Sequence, residues 1–268
     1  MLQTDQKAPL KVGVAGVGAI GRAVCLALSE APGIDGLILH MISDQKTRPE
    51  FDIPQVNFAA LAHDCDFIVE CLPAPAVPAL AAEVFKNGRD MVVISSAALL
   101  LFPEILETQK NSGSRIIVPS GALAGLDGVK AMREMGIESS KIASSKPPKG
   151  FEGAPYVVDK KIDLSSIKTK TLIFSGNALE ASRAFPANVN VAATLSLAGI
   201  GPEKTQVEVW ADPAAVSNTH EITVKTRYST LASRIENMPD PANPKSSVLA
   251  ARSIIAALRD LQQSVVIG

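Results

Sequence analysis

Residues 12–24, VGVAGVGAIGRAV, carry the pattern that decides the fold of the first half of the chain. Three glycines spaced as G-x-G-x-x-G stand directly after an apolar run and at the start of a helical run. Glycine at these places allows a tight turn, a close approach of the backbone to a pyrophosphate, and close packing of helix on strand. The amide groups at the helix N-terminus then face the phosphate charge. The residues predicted to bind a dinucleotide here are Gly16, Gly18, Ala19, Ile20 and Gly21.

Short apolar runs alternate with helical runs on both sides of this motif. Strands are predicted at 10–15, 36–43, 66–71, 91–95 and 115–120, and helices at 19–30, 77–88 and 102–113. Apolar runs that lack strict alternation and are separated by helices are typical of a parallel sheet covered on both faces. Short right-handed crossovers then favour a doubly wound Rossmann sheet.

The pattern changes in the second half of the chain. TQVEVWA (205–211) and HEITVKTR (220–227) alternate apolar and polar residues, as strands with one buried face do. Helical runs near 125–135 and 189–199 are expected to cover that sheet, and residues 246–263 form a strongly periodic helix. The predicted fold class is therefore α/β, with a Rossmann doubly wound parallel sheet plus a second α/β domain that has a mainly antiparallel sheet.

The composition is that of an ordinary globular protein. The 268 residues are 47% hydrophobic and 20% charged, with a net charge of −1. Balanced charge and 4% aromatic residues argue against a nucleic-acid partner, which needs a basic face and stacking rings. The first residues lack the apolar core of a signal peptide, and no apolar run reaches the ~18–20 residues that a membrane helix needs. Three cysteines without metal-site spacing predict no metal site and a reducing, cytoplasmic location.

The loop after the second predicted strand bears on the choice of dinucleotide. Asp44 ends that strand, 23 residues after Gly21, where a carboxylate would bind the ribose 2′-hydroxyl of NAD. Lys46 and Arg48 follow at once and have the charge to hold the 2′-phosphate of NADP instead. The expected cofactor is NAD, with NADP left open.

Four stretches of the second half carry a family resemblance when they are taken in order. They are SSKPPKG (144–150), FPANVNVAATLSLAGIG (185–201), ADPAAVSNTHEI (211–222) and NPKSS (243–247). Together with the glycine motif they closely resemble the L-aspartate dehydrogenase family, and the resemblance covers nearly the whole chain. The FPANVN run, the N-x-H step and the NPKSS step are far more specific than G-x-G-x-x-G alone.

The resemblance implies a reaction and roles for three residues. Members of this family are expected to catalyse the reversible NAD(P)-dependent oxidative deamination of L-aspartate to iminoaspartate, or to oxaloacetate plus ammonia. Iminoaspartate can feed quinolinate and hence NAD biosynthesis. By the same resemblance His220 is the catalytic histidine, and Ala124 and Asn190 contact the cofactor.

The resemblance also implies a division of the chain and an assembly. Residues 1–125 are expected to form the Rossmann domain, completed by a returning C-terminal helix at 244–268. Residues 126–243 are expected to form the domain that binds substrate, carries the catalytic residue and pairs two copies as a homodimer.

The chemistry of imidazole is consistent with a role of His220 in proton transfer, and charge suggests which residues hold the substrate. An imidazole with a pKa near 6.5 suits proton transfer at neutral pH. We therefore expect His220 to accept a proton from the substrate amine, or from the water that attacks the imine. Lys146 and Lys245 are candidates for binding a carboxylate of the substrate. Asn218 shares a strand face with His220 and is a candidate for orienting the substrate.

Two other functions remain open at the level of sequence. One is another Rossmann oxidoreductase that acts on a small amino acid, of the homoserine or semialdehyde dehydrogenase type. The other is a non-catalytic NAD(P)-binding sensor, because a fold does not determine a function. A semialdehyde dehydrogenase needs an activated cysteine, and Cys25 and Cys71 lie instead in predicted Rossmann elements.

Overall fold

The structure of the protein, a computed structural model, describes residues 8–240 and 243–267, and the side chains of residues 239–246 lie outside the described part. A parallel sheet forms the first half, with strands β1 (Leu10–Ala15), β2 (Leu37–Ser43), β3 (Phe67–Glu70), β4 (Asp90–Val93) and β5 (Ile116–Ile117). They lie in the order β2-β1-β3-β4-β5, and every pairing is parallel. The chain moves outward from β1 in both directions, which confirms the predicted doubly wound sheet.

Helices cover both faces of this sheet. They are α1 (Ala19–Ser29), α2 (Phe58–Asp64), α3 (Val77–Lys86), α4 (Ala97–Leu101) and α5 (Glu104–Lys110). Val14 of β1 packs into an apolar cluster with α1, and Ile68 of β3 packs into a second cluster with α3 on the opposite face. The sequence did not predict α2 and α4, because these helices are too short to show a clear helical period.

The second half is built on a mixed sheet. Its strands are β6 (Ile137–Lys146), β7 (Thr171–Asn177), β8 (Thr205–Ala211), β9 (Asn218–Thr226) and β10 (Thr230–Asn237). They lie in the order β10-β9-β6-β8-β7, and only the pairing of β6 with β8 is parallel. This confirms a mainly antiparallel second sheet. The sequence did not reveal the central strand β6, since its residues IESSKIASSK carry little apolar alternation.

The remaining helices cover the second sheet or return to the first. They are α6 (Leu126–Glu134), α7 (Pro155–Asp159), α8 (Ala178–Ala184), α9 (Asn190–Ala198) and α10 (Val248–Asp260). A small pair of strands, β11 (Pro239–Asp240) and β12 (Asn243–Ser247), leads into α10. Ile254 and Leu258 of α10 are fully buried in the same cluster as Val14 of β1. The last helix therefore packs on the first sheet, although it follows the second in sequence.

One face of the second sheet determines where chemistry can occur. Ile222 and Val224 of β9 and Ile142 of β6 lie on that face and are buried in the core with α9. Side chains alternate along a strand, so the residues two positions further along, His220 and Ser144, continue the same face. The buried face of the second sheet thus runs on to the boundary with the first half. Within the described residues, no helix combines the length and the apolar character needed to span a bilayer.

Candidate active site

The glycine loop between β1 and α1 leaves open space in front of the helix. Gly16 has φ +86°, and a Cβ there would lie 2.4 Å from the carbonyl oxygen of Cys71. A Cβ on Gly21 would lie 1.8 Å from the carbonyl oxygen of Gly16, so helix and loop could not pack as they do. Gly18, the N-cap of α1, has nothing within 4 Å of its Cβ position. Backbone amides at this end of α1 therefore face a free volume suited to a pyrophosphate.

Asp44 lies directly after β2, beside this loop. Its Oδ2 accepts a hydrogen bond from the Val17 N–H at 2.6 Å, and its Oδ1 accepts one from the Lys46 N–H at 2.8 Å. Burial alone would raise the pKa of the carboxyl, but these hydrogen bonds and the Arg48 guanidinium lower it below its ordinary value. A cleft of about 750 Å³ runs past both features, and its lining includes Gly16, Gly18, Asp44, Lys46, Arg48, Asn57, Phe58 and Leu72.

A second cavity, of about 170 Å³, lies at the boundary between the two halves. The first half contributes Ile20 of the glycine loop and Ile94 after β4. The face of the second sheet contributes polar residues, and further lining comes from the segment that leads into α9, the loop at Gly121 and the start of α10. The polar lining residues include Ser144, Lys146, Asn188, Asn190, Asn218, His220 and Ser247. The structure therefore brings His220, Asn218, Lys146, Asn190 and Ile20 into one cavity.

His220 occupies the floor of this cavity on β9. It is directly opposite Ser144 of β6 in the register of the two strands, and its Nδ1 lies 2.9 Å from the Ser144 Oγ. Burial and, to a smaller extent, the positive charge of Lys146 together lower the pKa of His220 from 6.5 to about 4. The imidazole is therefore neutral at physiological pH and can accept a proton.

Lys146 ends β6 on the same side of the cavity. Its Nζ donates a hydrogen bond to the Oδ1 of Asn188, and it lies 4.5 Å from the centre of the Phe151 ring. The ammonium is held in one place by an amide oxygen and an aromatic face. The cavity thus contains a neutral base and a fixed cation.

Asn190 joins the two halves at the first turn of α9. Its backbone oxygen accepts a hydrogen bond from the Ser96 Oγ at 2.8 Å, and its side-chain Oδ1 accepts one from the Ala97 N–H at 3.2 Å. The Ser96 Oγ also lies 2.9 Å from the Oγ1 of Thr194. These bonds tie α9 of the second half to α4 of the first, so the cavity is bounded by a fixed contact between them.

Comparisons with known proteins show the family of the chain. A family model described as aspartate dehydrogenase, C-terminal, matches residues 127–261, and the model of the homoserine dehydrogenase NAD-binding domain matches residues 16–119. L-aspartate dehydrogenase 3 of Bordetella bronchiseptica is 42% identical over 266 residues, which cover 97% of each chain. The chain belongs to the aspartate dehydrogenase family. The match to the NAD-binding model confirms the predicted dinucleotide-binding first half.

Two further relatives extend the family match over the whole fold. The L-aspartate dehydrogenase of Methanosarcina barkeri is 39% identical over 271 residues, covering 97% of this chain and 99% of its own. The crystal structure of aspartate dehydrogenase from Thermotoga maritima has a TM-score of 0.75 at 30% identity, covering 97% of this chain and 99% of that one. The resemblance first drawn from short motifs therefore holds along the entire length.

Three residues important to the geometry were missed in the sequence. Ser144 and Asn188 lie within the stretches SSKPPKG and FPANVN, but only the fold shows that they contact His220 and Lys146. The third is Glu70, a carboxyl at the end of the apolar strand β3. It accepts hydrogen bonds from the Leu72 N–H at 2.5 Å and the Ser95 N–H at 3.0 Å. Burial raises the pKa of Glu70 to about 7, despite these hydrogen bonds.

Some predicted residues lie apart from these two cavities. Gly21 serves the packing of α1, and Ala19 begins that helix without lining either cavity. Ala124 lines a different cavity next to α6 and α10, whereas Gly121 and Ala122 of the same loop line the one with His220. The side chain of Lys245 lies outside the described residues.

Proposed function

We propose that the protein is an L-aspartate dehydrogenase that catalyses the reversible oxidative deamination of L-aspartate to iminoaspartate, which hydrolyses to oxaloacetate and ammonia. One observation supports the proposal above all. A neutral His220 and a fixed Lys146 line one small cavity together with Ile20 of the dinucleotide loop. A base, a cation for a carboxylate and a coenzyme site are what this reaction requires.

The cleft formed by the first half of the chain fits a nicotinamide dinucleotide. Gly16 and Gly18 line an open cradle at the N-terminus of α1, and Asp44 lies where the adenosine ribose would bind. When bound, NAD⁺ or NADP⁺ accepts the hydride that leaves C2 of the amino acid. The residues proposed to hold it are Gly16, Gly18, Ala19, Ile20, Gly21, Asp44, Ala124 and Asn190.

His220 is proposed to move the protons of the reaction. In the tautomer in which Nδ1–H donates to the Ser144 Oγ, the lone pair of Nε2 is available to a substrate. Nε2 then accepts a proton from the substrate amine, or from the water that attacks the imine carbon, and returns it in the reverse direction. The low pKa of the free imidazole keeps it in the accepting form at neutral pH.

Lys146 is proposed to hold one carboxylate of the substrate. Its ammonium provides a charge-assisted hydrogen bond, and Asn188 keeps it directed along the cavity. Asn218 lies on the same strand face as His220 and is proposed to orient the substrate. Lys245, in β12 two residues before the cap residue Ser247 of α10, stays a candidate for the second carboxylate on the grounds of the family resemblance.

The domain boundaries, the assembly and the location of the protein are also proposed from the family. We infer a Rossmann domain of residues 1–125 completed by the returning C-terminal segment 244–268, whose helix in the structure is α10 (Val248–Asp260), and a substrate and dimerisation domain of residues 126–243. The protein is expected to act as a cytoplasmic homodimer, with L-aspartate or oxaloacetate and ammonia as its small-molecule partners. Its iminoaspartate is expected to be available for quinolinate and NAD synthesis.

The thiols argue against the semialdehyde alternative. Burial raises the pKa of Cys25 to about 12 and that of Cys65 to about 11, and burial also raises the pKa of Cys71 well above its ordinary value. A nucleophilic cysteine needs the opposite shift. These cysteines are therefore held as unreactive thiols.

Initial rates on a set of substrates test the function. L-aspartate, D-aspartate, L-glutamate, L-homoserine, and oxaloacetate plus ammonia are each assayed with both coenzymes. We expect turnover with L-aspartate and with oxaloacetate plus ammonia, and little with the others. Absence of activity on both of those, in protein that still binds NADH, would exclude the proposal and favour a sensor.

A further inference from the structure

A buried carboxyl lies at the carboxyl edge of the first sheet. Glu70 is the last residue of β3, and its side chain is fully buried. It shares a strand face with Ile68, whose apolar cluster includes Ala15, Ala74, Val77, Leu80, Val93 and Ala98. A carboxyl among apolar neighbours is costly to bury unless hydrogen bonds compensate for the lost water. The hydrogen bonds of Glu70 therefore indicate what the residue does.

These hydrogen bonds fix the loop after β3 to the segment after β4. The Oε1 of Glu70 accepts from the Leu72 N–H at 2.5 Å, and its Oε2 accepts from the Ser95 N–H at 3.0 Å. The Ser95 Oγ in turn donates to the Leu72 carbonyl oxygen at 2.6 Å. Both backbone groups of Leu72 are thus held, one by Glu70 and the other by Ser95. The two connections form one closed hydrogen-bonded unit.

The two sides of this unit face different cavities. Leu72 lines the cleft of the glycine loop, and the carbonyl oxygen of Cys71 lies 2.4 Å from the position of a Cβ on Gly16. On the other side Ile94, directly before Ser95, lines the cavity that contains His220. The same carboxyl therefore supports a wall of the coenzyme cleft and a wall of the catalytic cavity.

The segment after β4 also carries the contact between the two halves of the chain. Ser96 and Ala97 follow Ser95 directly. The Ser96 Oγ donates to the backbone oxygen of Asn190, and the Ala97 N–H donates to its Oδ1. Asn190 begins α9 and lines the catalytic cavity. A connected path of backbone and hydrogen bonds thus leads from Leu72, through the buried carboxyl, to the second half.

We propose that Glu70 is a positioning residue that sets the distance between the coenzyme cleft and the catalytic cavity. It acts through Leu72 and Ser95, and a fully buried side chain touches neither coenzyme nor substrate. Hydride transfer needs a close and fixed approach of donor to acceptor, so loss of this carboxylate affects turnover more than substrate binding. The role rests on the proposed oxidation of an amino acid by a dinucleotide bound in this cleft.

The ionised form of Glu70 performs this role. A carboxylate accepts at both oxygens, whereas protonation places a donor on one of them. Burial raises the pKa of Glu70 to about 7, so the ionised fraction increases between pH 6 and pH 8. Burial also raises the pKa of the adjacent Cys71 thiol well above its ordinary value, so the thiol stays protonated in this range. His220, with a pKa of about 4, stays neutral.

Equilibrium binding of NADH to the full-length protein at pH 6 and pH 8, followed by coenzyme fluorescence, tests the role of Glu70. The wild-type Kd is expected to be about threefold to tenfold higher at pH 6, because protonation releases one of the two N–H groups. Glu70→Gln retains the volume of the side chain but accepts at only one atom. Its Kd should be the same at both pH values and close to the wild-type value at pH 6.

Steady-state rates with L-aspartate at pH 8 give the second readout. Glu70→Gln is expected to lower kcat about tenfold, while the KM for L-aspartate stays within about twofold. Ser95→Ala retains the carboxyl and both of its N–H partners, and removes only the hydroxyl that holds the Leu72 carbonyl. It should lower kcat about threefold and retain the pH dependence of the Kd. Thermal unfolding establishes that each variant is folded.

Asp66→Asn is the matched control. Asp66 directly precedes β3, and its Oδ2 accepts from the Lys11 N–H at 2.9 Å at the opposite edge of the same sheet. The same chemical change there should leave kcat, the Kd for NADH and its pH dependence unaltered.

Three results would overturn the role of Glu70. They are a wild-type Kd that is equal at pH 6 and pH 8, a pH dependence that persists in Glu70→Gln, and an unchanged kcat in the folded variant. If Glu70→Gln does not fold, wild-type kcat in Ser95→Ala would overturn it instead. Absence of NADH binding by the wild type at either pH would contradict the proposed function and not the role of Glu70 alone.

Discussion

The two ends of the cleft are made in different ways. At the dinucleotide end, consecutive residues of one loop form the site with their backbone, and the carbonyl oxygen of Gly16 leaves no room for a Cβ on Gly21. At the catalytic end, side chains from separate strands form the site. Ser144 and His220 touch although 76 positions separate them in the chain. The dinucleotide end depends on the absence of a side chain at its glycines, whereas the catalytic end depends on the side chains that its residues have.

This difference predicts opposite responses to mutation. Removing a side chain at the catalytic end should reduce turnover and leave coenzyme binding intact. Adding a methyl group at the dinucleotide end should reduce coenzyme binding or stability. Burial favours the neutral form of an ionisable side chain in both halves of the chain. It raises the pKa of Glu70 in the first half and lowers that of His220 in the second.

The largest expected effect is that of His220→Ala. Loss of the proposed general base should lower kcat by a factor of about 10² or more, while the Kd for NADH stays within about twofold. Steady-state rates with L-aspartate and fluorescence titration with NADH measure the two quantities. His63→Ala removes an exposed histidine that pairs with Asp64, and serves as the control. Near-normal turnover in His220→Ala would end the assignment of this residue as the base.

A pair of glycine variants tests the other end of the cleft. Gly21→Ala places a Cβ 1.8 Å from the Gly16 carbonyl oxygen, so the free energy of unfolding should fall by about 3 kcal/mol or more. Gly18→Ala meets nothing within 4 Å in the protein itself, so its Tm should be unchanged. Its Kd for NADH should nevertheless rise about tenfold, because the new methyl group enters the space for the pyrophosphate. Thermal unfolding and fluorescence titration of both variants check these outcomes, and a Gly18→Ala protein that binds NADH normally would contradict the placement of the pyrophosphate.

The same difference explains which parts of the molecule could be predicted from the sequence. The strands β1 and β2 and the glycine loop were predicted closely, because a buried parallel sheet and a backbone-built site leave contiguous patterns. Strand β6 was not predicted, since Ser140 and Ser144 stand where apolar residues would mark its buried face. Without that strand, nothing in the sequence could place Ser144 opposite His220.

The residue Glu70 shows another limit of sequence. A single carboxyl in the run DFIVEC has no pattern of its own, and its more distant backbone partner, Ser95, becomes its neighbour only when β3 and β4 pair. His220 itself was identified by the family resemblance and not by its strand. Side-chain sites of this kind require the fold, because the distances that matter lie between strands.

Ser144→Ala gives a smaller effect than the loss of the histidine. The hydroxyl contacts Nδ1 at 2.9 Å and is proposed to hold the imidazole in position, so its removal should lower kcat about tenfold, the value of one hydrogen bond of about 1.4 kcal/mol. The KM for L-aspartate should change little. Ser144→Thr retains the hydroxyl and should recover most of the rate. If threonine does not recover it, or if KM and kcat change together, Ser144 acts through packing and not through the imidazole.

The smallest expected effect is a change in the titration of His220 when Lys146 is replaced. The ammonium of Lys146 disfavours the imidazolium, so Lys146→Met should raise the pKa of His220 above its value of about 4 in the wild type, by less than about one unit. Burial is the larger cause and remains, so the pKa should stay below 6.5 in the variant.

NMR titration of the imidazole signals measures this pKa directly, because the chain has only three histidines and His220→Ala identifies the signal. The acid limb of kcat/KM should move upward with it, even though the loss of a carboxylate grip lowers the rate. An unchanged or lower pKa would show that Lys146 and His220 do not share one cavity in solution.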